Sequence, residues 1–413
     1  MTITITPTRL NGYVMAPPSK SQAHRLIIAA ALAEGESRVR NVEHSQDIEA
    51  TLRCIRELGA EAYWERDIVV IQGMAAGNMS PRRKLALPHL NCGESGSTLR
   101  FLIPIALAVR GGGVFTGSPR LMERPQKPYL DLFQEKGILF QRDGGVLVSS
   151  GRLEAGIWAL PGNVSSQFFT GLLYALPLLE GESYLKSTTT LQSSSYLDMT
   201  RDALKLAGVE TEAAAGYGFL IKGGQSYQPI RANVEADWSQ AGFWLAAAGL
   251  GCNVTVSGLS GDSTQGDRVI MEWRDRLERD GDVDLDVSDC PDLVPPLAAL
   301  AALREGQTTR ILNAGRLRMK ESDRLVAVRE ELNKMGADVT EGEDYLVIRG
   351  VGHLKGARTD GHNDHRIAMM IAIAATRADG PVTLTGAECV AKSYPEFWEE
   401  YARLGGVFKE EQA

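Results

Sequence analysis

Six segments of the chain share one pattern, a few small or polar residues followed by a run rich in Ala, Leu and Ile. They are SKSQAHRLIIAAALA from Ser19, SGSTLRFLIPIALAV from Ser95, SSQFFTGLLYALPLL from Ser165, DWSQAGFWLAAAGLG from Asp237, DCPDLVPPLAALAAL from Asp289 and NDHRIAMMIAIAATR from Asn363. A run that is apolar all round predicts a buried helix. The Ser, Asp or Asn at its start offers oxygens to the backbone N–H groups that a first helical turn leaves unpaired. A second set of six interleaves with the first, beginning at Asp47, Pro125, Tyr196, Asp267, Asp323 and Tyr394. These are amphipathic, and each ends near a glycine suited to a left-handed cap: Gly59, Gly137, Gly208, Gly281, Gly336 and Gly405. They predict helices with one face in solvent. Alternating or β-branched stretches follow such glycines, as in DIVVIQG from Asp67, GVLVSSG from Gly145, GFLIKGG from Gly218 and DYLVIRG from Asp344, and predict strands and turns.

The repeating unit is therefore buried helix, strand, surface helix, strands, with a period of about 70 residues. A period that long describes a compact α/β unit rather than a solenoid turn. Six units divide into two domains of three, the first expected over 17–231 and the second over 232–413. The junction falls where Gly, Gln, Pro and Asn interrupt the pattern, from Gly223 to Asp237. The strand-like TITITPTRL precedes the first buried helix, so residues 1–16 are expected to join the second domain through a double crossover.

Composition narrows the function. The 413 residues carry 44 Lys plus Arg against 52 Asp plus Glu, a net charge of −8, which argues against a general nucleic-acid binder. Five scattered cysteines without a C-x-x-C pair argue against a disulfide framework and a zinc ribbon. The N-terminus lacks the pattern of a signal peptide, and no apolar run is long enough to span a bilayer, so a cytoplasmic protein is expected, with no membrane partner.

The chemistry gathers at the starts of the buried helices. The first three open with Ser19-Lys20-Ser21, Ser95-Gly96-Ser97 and Ser165-Ser166-Gln167, and Arg25 and Arg100 lie about one turn further in. Free N–H groups, a partial positive charge, hydroxyls and bases together suit phosphate. The second three openings are acidic or mixed, with Asp237, with Asp289 and Asp292, and with Asn363-Asp364-His365-Arg366. Beside them RLRMKESDR brings Lys320, Glu321 and Arg324 close to a helix start, while PRLMERP carries Arg120 and Arg124 and AKSYPEF carries Lys392. So many bases beside turns, on an acidic chain, point to anionic ligands. His365 has no metal-ligand spacing with its neighbours, and there is no H-E-x-x-H, phosphate-loop or G-x-S-x-G motif, so neither a catalytic metal nor a cofactor is expected.

Four motifs, PPSKSQAHR from Pro17, SGSTLRFL from Ser95, MKESDRL from Met319 and NDHRIAM from Asn363, supported by PRLMERP and AKSYPEF, resemble the EPSP synthase family over essentially the whole length. The resemblance implies two inside-out α/β barrel domains, each of three βαβαββ units, joined by a two-stranded hinge and closing on substrate. It implies transfer of the enolpyruvyl group of phosphoenolpyruvate to the 5-hydroxyl of shikimate 3-phosphate, through a tetrahedral ketal, with release of phosphate. In the pattern of the family, Lys20, Ser21, Arg25, Ser165, Ser166, Gln167, Ser193 and Tyr196 match positions that bind shikimate 3-phosphate. Lys20, Gly96, Arg124, Gln167, Arg324, Arg366 and Lys392 match those that meet phosphoenolpyruvate, and Lys320 joins the substrate-binding set. Asp292 is implied as the base for the hydroxyl and Glu321 as the proton carrier at the methyl carbon, with Lys20 assisting. Gly96 matches the position that leaves room for the herbicide glyphosate, so sensitivity is expected, and a monomer is the family expectation.

Two positions depart from the pattern. Glu94 stands where many members have Asn, and Arg316 where some use Asn to hold shikimate 3-phosphate. Two other readings share these residues. UDP-N-acetylglucosamine enolpyruvyltransferases have Lys-Asn where this chain has Lys20-Ser21. A non-catalytic phosphometabolite-binding scaffold would lack the carboxylates or lysines that stand here at Asp292, Glu321, Lys20 and Lys320.

Overall fold

The computed structural model describes residues 1–74 and 86–411. The chain divides into two compact units, Pro18–Glu235 and Met1–Pro17 with Ala236–Ala413, each with its own hydrophobic core. Within the second unit the N-terminal strand Thr2–Thr6 lies between Val382–Thr385 and Val407–Glu410, antiparallel to both. The chain thus passes between units twice. At these crossings Asp237 N–H donates to the carbonyl of Pro17 and Ser19 N–H to that of Glu235, both at 2.7 Å.

The buried helices form where the apolar runs predict them. They are Lys20–Leu32, Gly96–Arg110 and Ser166–Ala175 in the first unit, and Trp238–Gly249, Val294–Ala301 and His365–Ala375 in the second. From Ala23 to Leu32 every side chain is buried, as is every one of His365–Ala375. Such helices are surrounded on all sides, so the sheets lie outside them. Strands like Glu36–Arg40 alternate buried and exposed positions accordingly. Ser19, Ser95, Ser165, Asp237 and Asp364 cap these helices through their side-chain oxygens. The opening at Asp289 differs: a 3-10 turn, Pro291–Leu293, follows Cys290, and no side chain caps Val294–Ala301. Pro291, Pro295 and Pro296 have no N–H, so this start has fewer donors to satisfy.

Among the described residues five sheets have four strands and one arrangement, in which the first strand is parallel to the second and two further strands add antiparallel beyond it; those two form a hairpin in four sheets and are the two ends of the chain, Thr2–Thr6 and Val407–Glu410, in the fifth. In one of them, His89–Asn91 runs parallel to Gly112–Thr116, which pairs antiparallel with Val146–Ser150, itself flanked by Leu139–Asp143. The sixth sheet has two strands only, Asn11–Met15 parallel to Asn253–Ser257. The repeat breaks here because the surface helix Ile270–Leu277 leads through Gly281 straight into Val283–Asp286, the first strand of the next sheet. No alternating stretch is left to form a hairpin. Among the described residues no helix is long and apolar enough to cross a membrane.

Candidate active site

In the first unit the helix starts carry the predicted groups. Lys20 is the first residue of its helix, and its ammonium meets the Asp47 carboxylate at 2.7 Å. Arg25 is buried one turn on; its Nε–H donates to Thr200 Oγ1 at 2.9 Å and its Nη1 to the Ser21 carbonyl at 2.7 Å. The same guanidinium lies 5.2 Å from the Phe101 ring centre and 5.6 Å from that of Tyr196. Burial lowers the Arg25 pKa to about 10, which leaves it charged at neutral pH. Gln167 links two openings: its carbonyl accepts from Arg100 Nη1 at 2.8 Å, and its amide donates to Ser97 Oγ at 3.0 Å. Ser166 is buried beside the cap Ser165, and Ser193 precedes the helix Ser194–Leu206 with φ of 57°. Gly96 has a steric reason. A Cβ there would stand 2.7 Å from Arg124 Nη1, so the absence of a side chain lets the buried guanidinium approach the helix start.

In the second unit the charges condense around Arg324, the first residue of Arg324–Lys334 and only 1% exposed. Its Nη1 donates to Asp292 at 2.7 Å, its Nη2 to Glu321 at 2.7 Å and its Nε to Asp364 at 2.8 Å. Arg366 meets Asp292 at 3.2 Å and donates to Ser239 Oγ at 2.9 Å, and Lys320 stands 3.4 Å from Asp292. Lys392 donates to the Asn363 carbonyl at 2.5 Å. Arg316, by contrast, donates to the backbone oxygen of Ser288.

The electrostatics follow from this packing. Burial alone would raise the Asp292 carboxyl, but the charges of Arg366, Lys320 and Arg324 outweigh it and hold the group well below the usual carboxylate range. For Lys320 burial wins over the attraction of Asp292 and lowers the ammonium to about 8. Arg324 moves the other way: Asp364, Glu321 and Asp292 overcome its burial and raise it.

Sequence reasoning named the residues beside helix starts and missed their partners. Asp47, Thr200 and Ser239 were not named as site residues, and Ser97, Asn363 and Asp364 only as parts of helix openings. The signal for Asp364 was an Asp at a cap position two residues before an arginine, because Asp caps as Ser does and also brings a negative charge for a cation. Nothing local points from Lys20 to Asp47, 27 residues away.

The family model described as EPSP synthase (3-phosphoshikimate 1-carboxyvinyltransferase) matches residues 5–401. The 3-phosphoshikimate 1-carboxyvinyltransferase of Clostridium kluyveri is 44% identical over 425 residues, covering 99% of this chain and 98% of that protein. Its counterpart in Clostridium acetobutylicum is also 44% identical, with 98% and 97% covered. Among solved structures, EPSP synthase from Acinetobacter baumannii matches with a TM-score of 0.80 at 26% identity over 100% of both chains. The enolpyruvyl transferase NikO from Streptomyces tendae matches with a TM-score of 0.78 at 18% identity, over 100% of this chain and 99% of that one, a likeness of fold. The fold is that of an enolpyruvyl transferase. The chain belongs to the EPSP synthase family, whose members transfer the enolpyruvyl group of phosphoenolpyruvate to shikimate 3-phosphate in aromatic amino acid biosynthesis.

Proposed function

We propose that the two units divide this reaction between recognition and chemistry. Lys20, Ser21, Arg25, Ser165, Ser166, Gln167, Ser193 and Tyr196 of the first unit bind shikimate 3-phosphate, and Gly96 and Arg124 meet phosphoenolpyruvate. The second unit supplies Arg324, Arg366, Lys392 and Lys320 for phosphoenolpyruvate, and the carboxylates Asp292 and Glu321 for proton transfer. The observation that carries this reading is the Arg324 guanidinium, shared among Asp292, Glu321 and Asp364 in a buried cluster. An incoming anion competes with Asp292 for Arg324, Arg366 and Lys320. As those cations turn to the ligand, the Asp292 carboxylate loses the charges that hold its pKa down and becomes a stronger base.

Asp292 then takes the proton of the 5-hydroxyl as its oxygen bonds to C2 of phosphoenolpyruvate, and Glu321, which takes up a proton from solvent as Arg324 turns to the ligand, gives that proton to C3, making the methyl group of the ketal. In the second half Glu321 takes a proton back from the methyl group, the C2–O bond to phosphate breaks, and the hydroxyl proton leaves with the phosphate, Lys20 assisting. These are proton transfers and an addition–elimination, and no cofactor or metal is assigned to them. A cytoplasmic monomer is part of the proposal; the five buried free thiols suit a reducing compartment.

The test is phosphate release from purified protein given phosphoenolpyruvate with shikimate 3-phosphate, beside a reaction with UDP-N-acetylglucosamine. Release is expected with shikimate 3-phosphate alone. Release only with the sugar nucleotide would overturn the acceptor assignment, and release with neither would overturn the enzyme reading.

A further inference from the structure

The Arg324–Lys334 helix holds more than the charge cluster at its start. Seven residues on from Arg324, Glu331 lies on the same face, two turns and about 10 Å away. Its carboxylate is completely buried, and its oxygens take three donors: His362 Nε2 at 2.6 Å, Lys334 Nζ at 2.7 Å and the Asp360 backbone N–H at 3.0 Å. The loop from Asp360 to Asp364 is therefore fastened to one helix at both ends, by Glu331 at one and by the Asp364–Arg324 pair at the other.

Between the fastenings the backbone is costly. His362 and Asn363 have φ of 51° and 49°, a conformation that side chains other than glycine keep only when their surroundings enforce it. What this stretch presents is central to the proposed site: the Asn363 carbonyl accepts from Lys392, and the Asp364 carboxylate accepts from Arg324 and from the Arg366 backbone N–H. We propose that Glu331 and His362 are a positioning pair that holds the 360–364 loop, and through it Lys392, Arg324 and Arg366, in the arrangement that binds phosphoenolpyruvate. The inference rests on the assignment of those three bases to phosphoenolpyruvate above.

The charges around His362 give the pair a pH dependence. Its hydrogen bond to Glu331 raises the imidazole pKa against burial, Asp360 and the Glu331 charge add to this, and Lys334 opposes it. Glu330, close to both Glu331 and His362, is itself paired with Arg329 at 3.0 Å. A raised histidine contributes fully below its unperturbed pKa and loses that contribution as pH rises through the raised value. Phosphoenolpyruvate binding is thus favoured on the acid side of that transition.

The experiment uses the full chain. His362→Leu should raise the KM for phosphoenolpyruvate about tenfold while kcat and the KM for shikimate 3-phosphate stay within about twofold. His362→Gln, whose amide still donates to Glu331, should recover most of the loss and flatten the pH dependence of that KM. Hydrogen exchange at the Gly361 and Asp364 amides should quicken in His362→Leu without any substrate, so the clamp is read even if wild-type turnover shows the reaction assignment to be wrong. Folded His362→Leu with wild-type KM and wild-type exchange overturns the pair. So does wild-type activity that a chelator abolishes and zinc restores, which would make Glu330, Glu331 and His362 metal ligands.

Discussion

Arg25 and Arg324 occupy comparable places, each buried near the start of a helix in its own unit, and they are held in opposite ways. Arg25 leans on a threonine hydroxyl, a backbone carbonyl and two aromatic rings. Arg324 is wrapped in three carboxylates. A cation held by neutral groups keeps its charge for a ligand, and its fork is already oriented. One held by carboxylates is neutralised until a ligand arrives, and then it frees the carboxylates. On the proposed division of labour, this difference in partners is what sets Arg25 to recognition and Arg324 to the reactive half.

The largest test of that contrast is Glu321→Gln. It should lower kcat by about a thousandfold while calorimetry finds shikimate 3-phosphate binding unchanged within about twofold. An equal loss in both would dissolve the division of labour. Next comes Gly96→Ala, whose methyl group would crowd the Arg124 guanidinium. Steady-state kinetics should show the KM for phosphoenolpyruvate raised about tenfold and kcat little affected, because a displaced base in the recognition half weakens binding more than chemistry. The smallest effect is one of pH. Lys320, lowered to about 8, is charged below that pH and loses its charge as pH rises through it, so kcat/KM for phosphoenolpyruvate should fall above about 8. Lys320→Arg, charged throughout, should move that fall upward, and an unmoved profile would assign it to another group.

The helices of both halves were legible because a run such as IIAAAL has no polar face and so no place but a core. The caps were legible for a related reason: Ser19, Ser95, Ser165 and Asp237 stand directly before such runs. Asp289 misled because the prolines behind it remove the need for a cap. Site residues beside helix starts could be named from one motif each, since a helix start concentrates N–H groups whatever surrounds it. Their partners could not. Glu331 and His362 are 31 residues apart, and Arg366 finds Ser239 across 127; such pairs exist only once the sheets have brought separate repeats together. The two-stranded sheet was hidden for a different reason: a repeat is recognised by what recurs, and a missing hairpin leaves no residues to read.

That missing hairpin bears on how such a chain can change length. The Asn11–Met15 and Asn253–Ser257 pair keeps its buried helix, Trp238–Gly249, with the Asp237 cap and the Ser239 contact to Arg366 intact. Strands at the outer end of a repeat are therefore dispensable, whereas the helix that carries a working group at its start is not. Gly281, with open space where a side chain would be, marks the place where a designer could splice in foreign sequence and lengthen the sheet, leaving the reactive end of the repeat undisturbed.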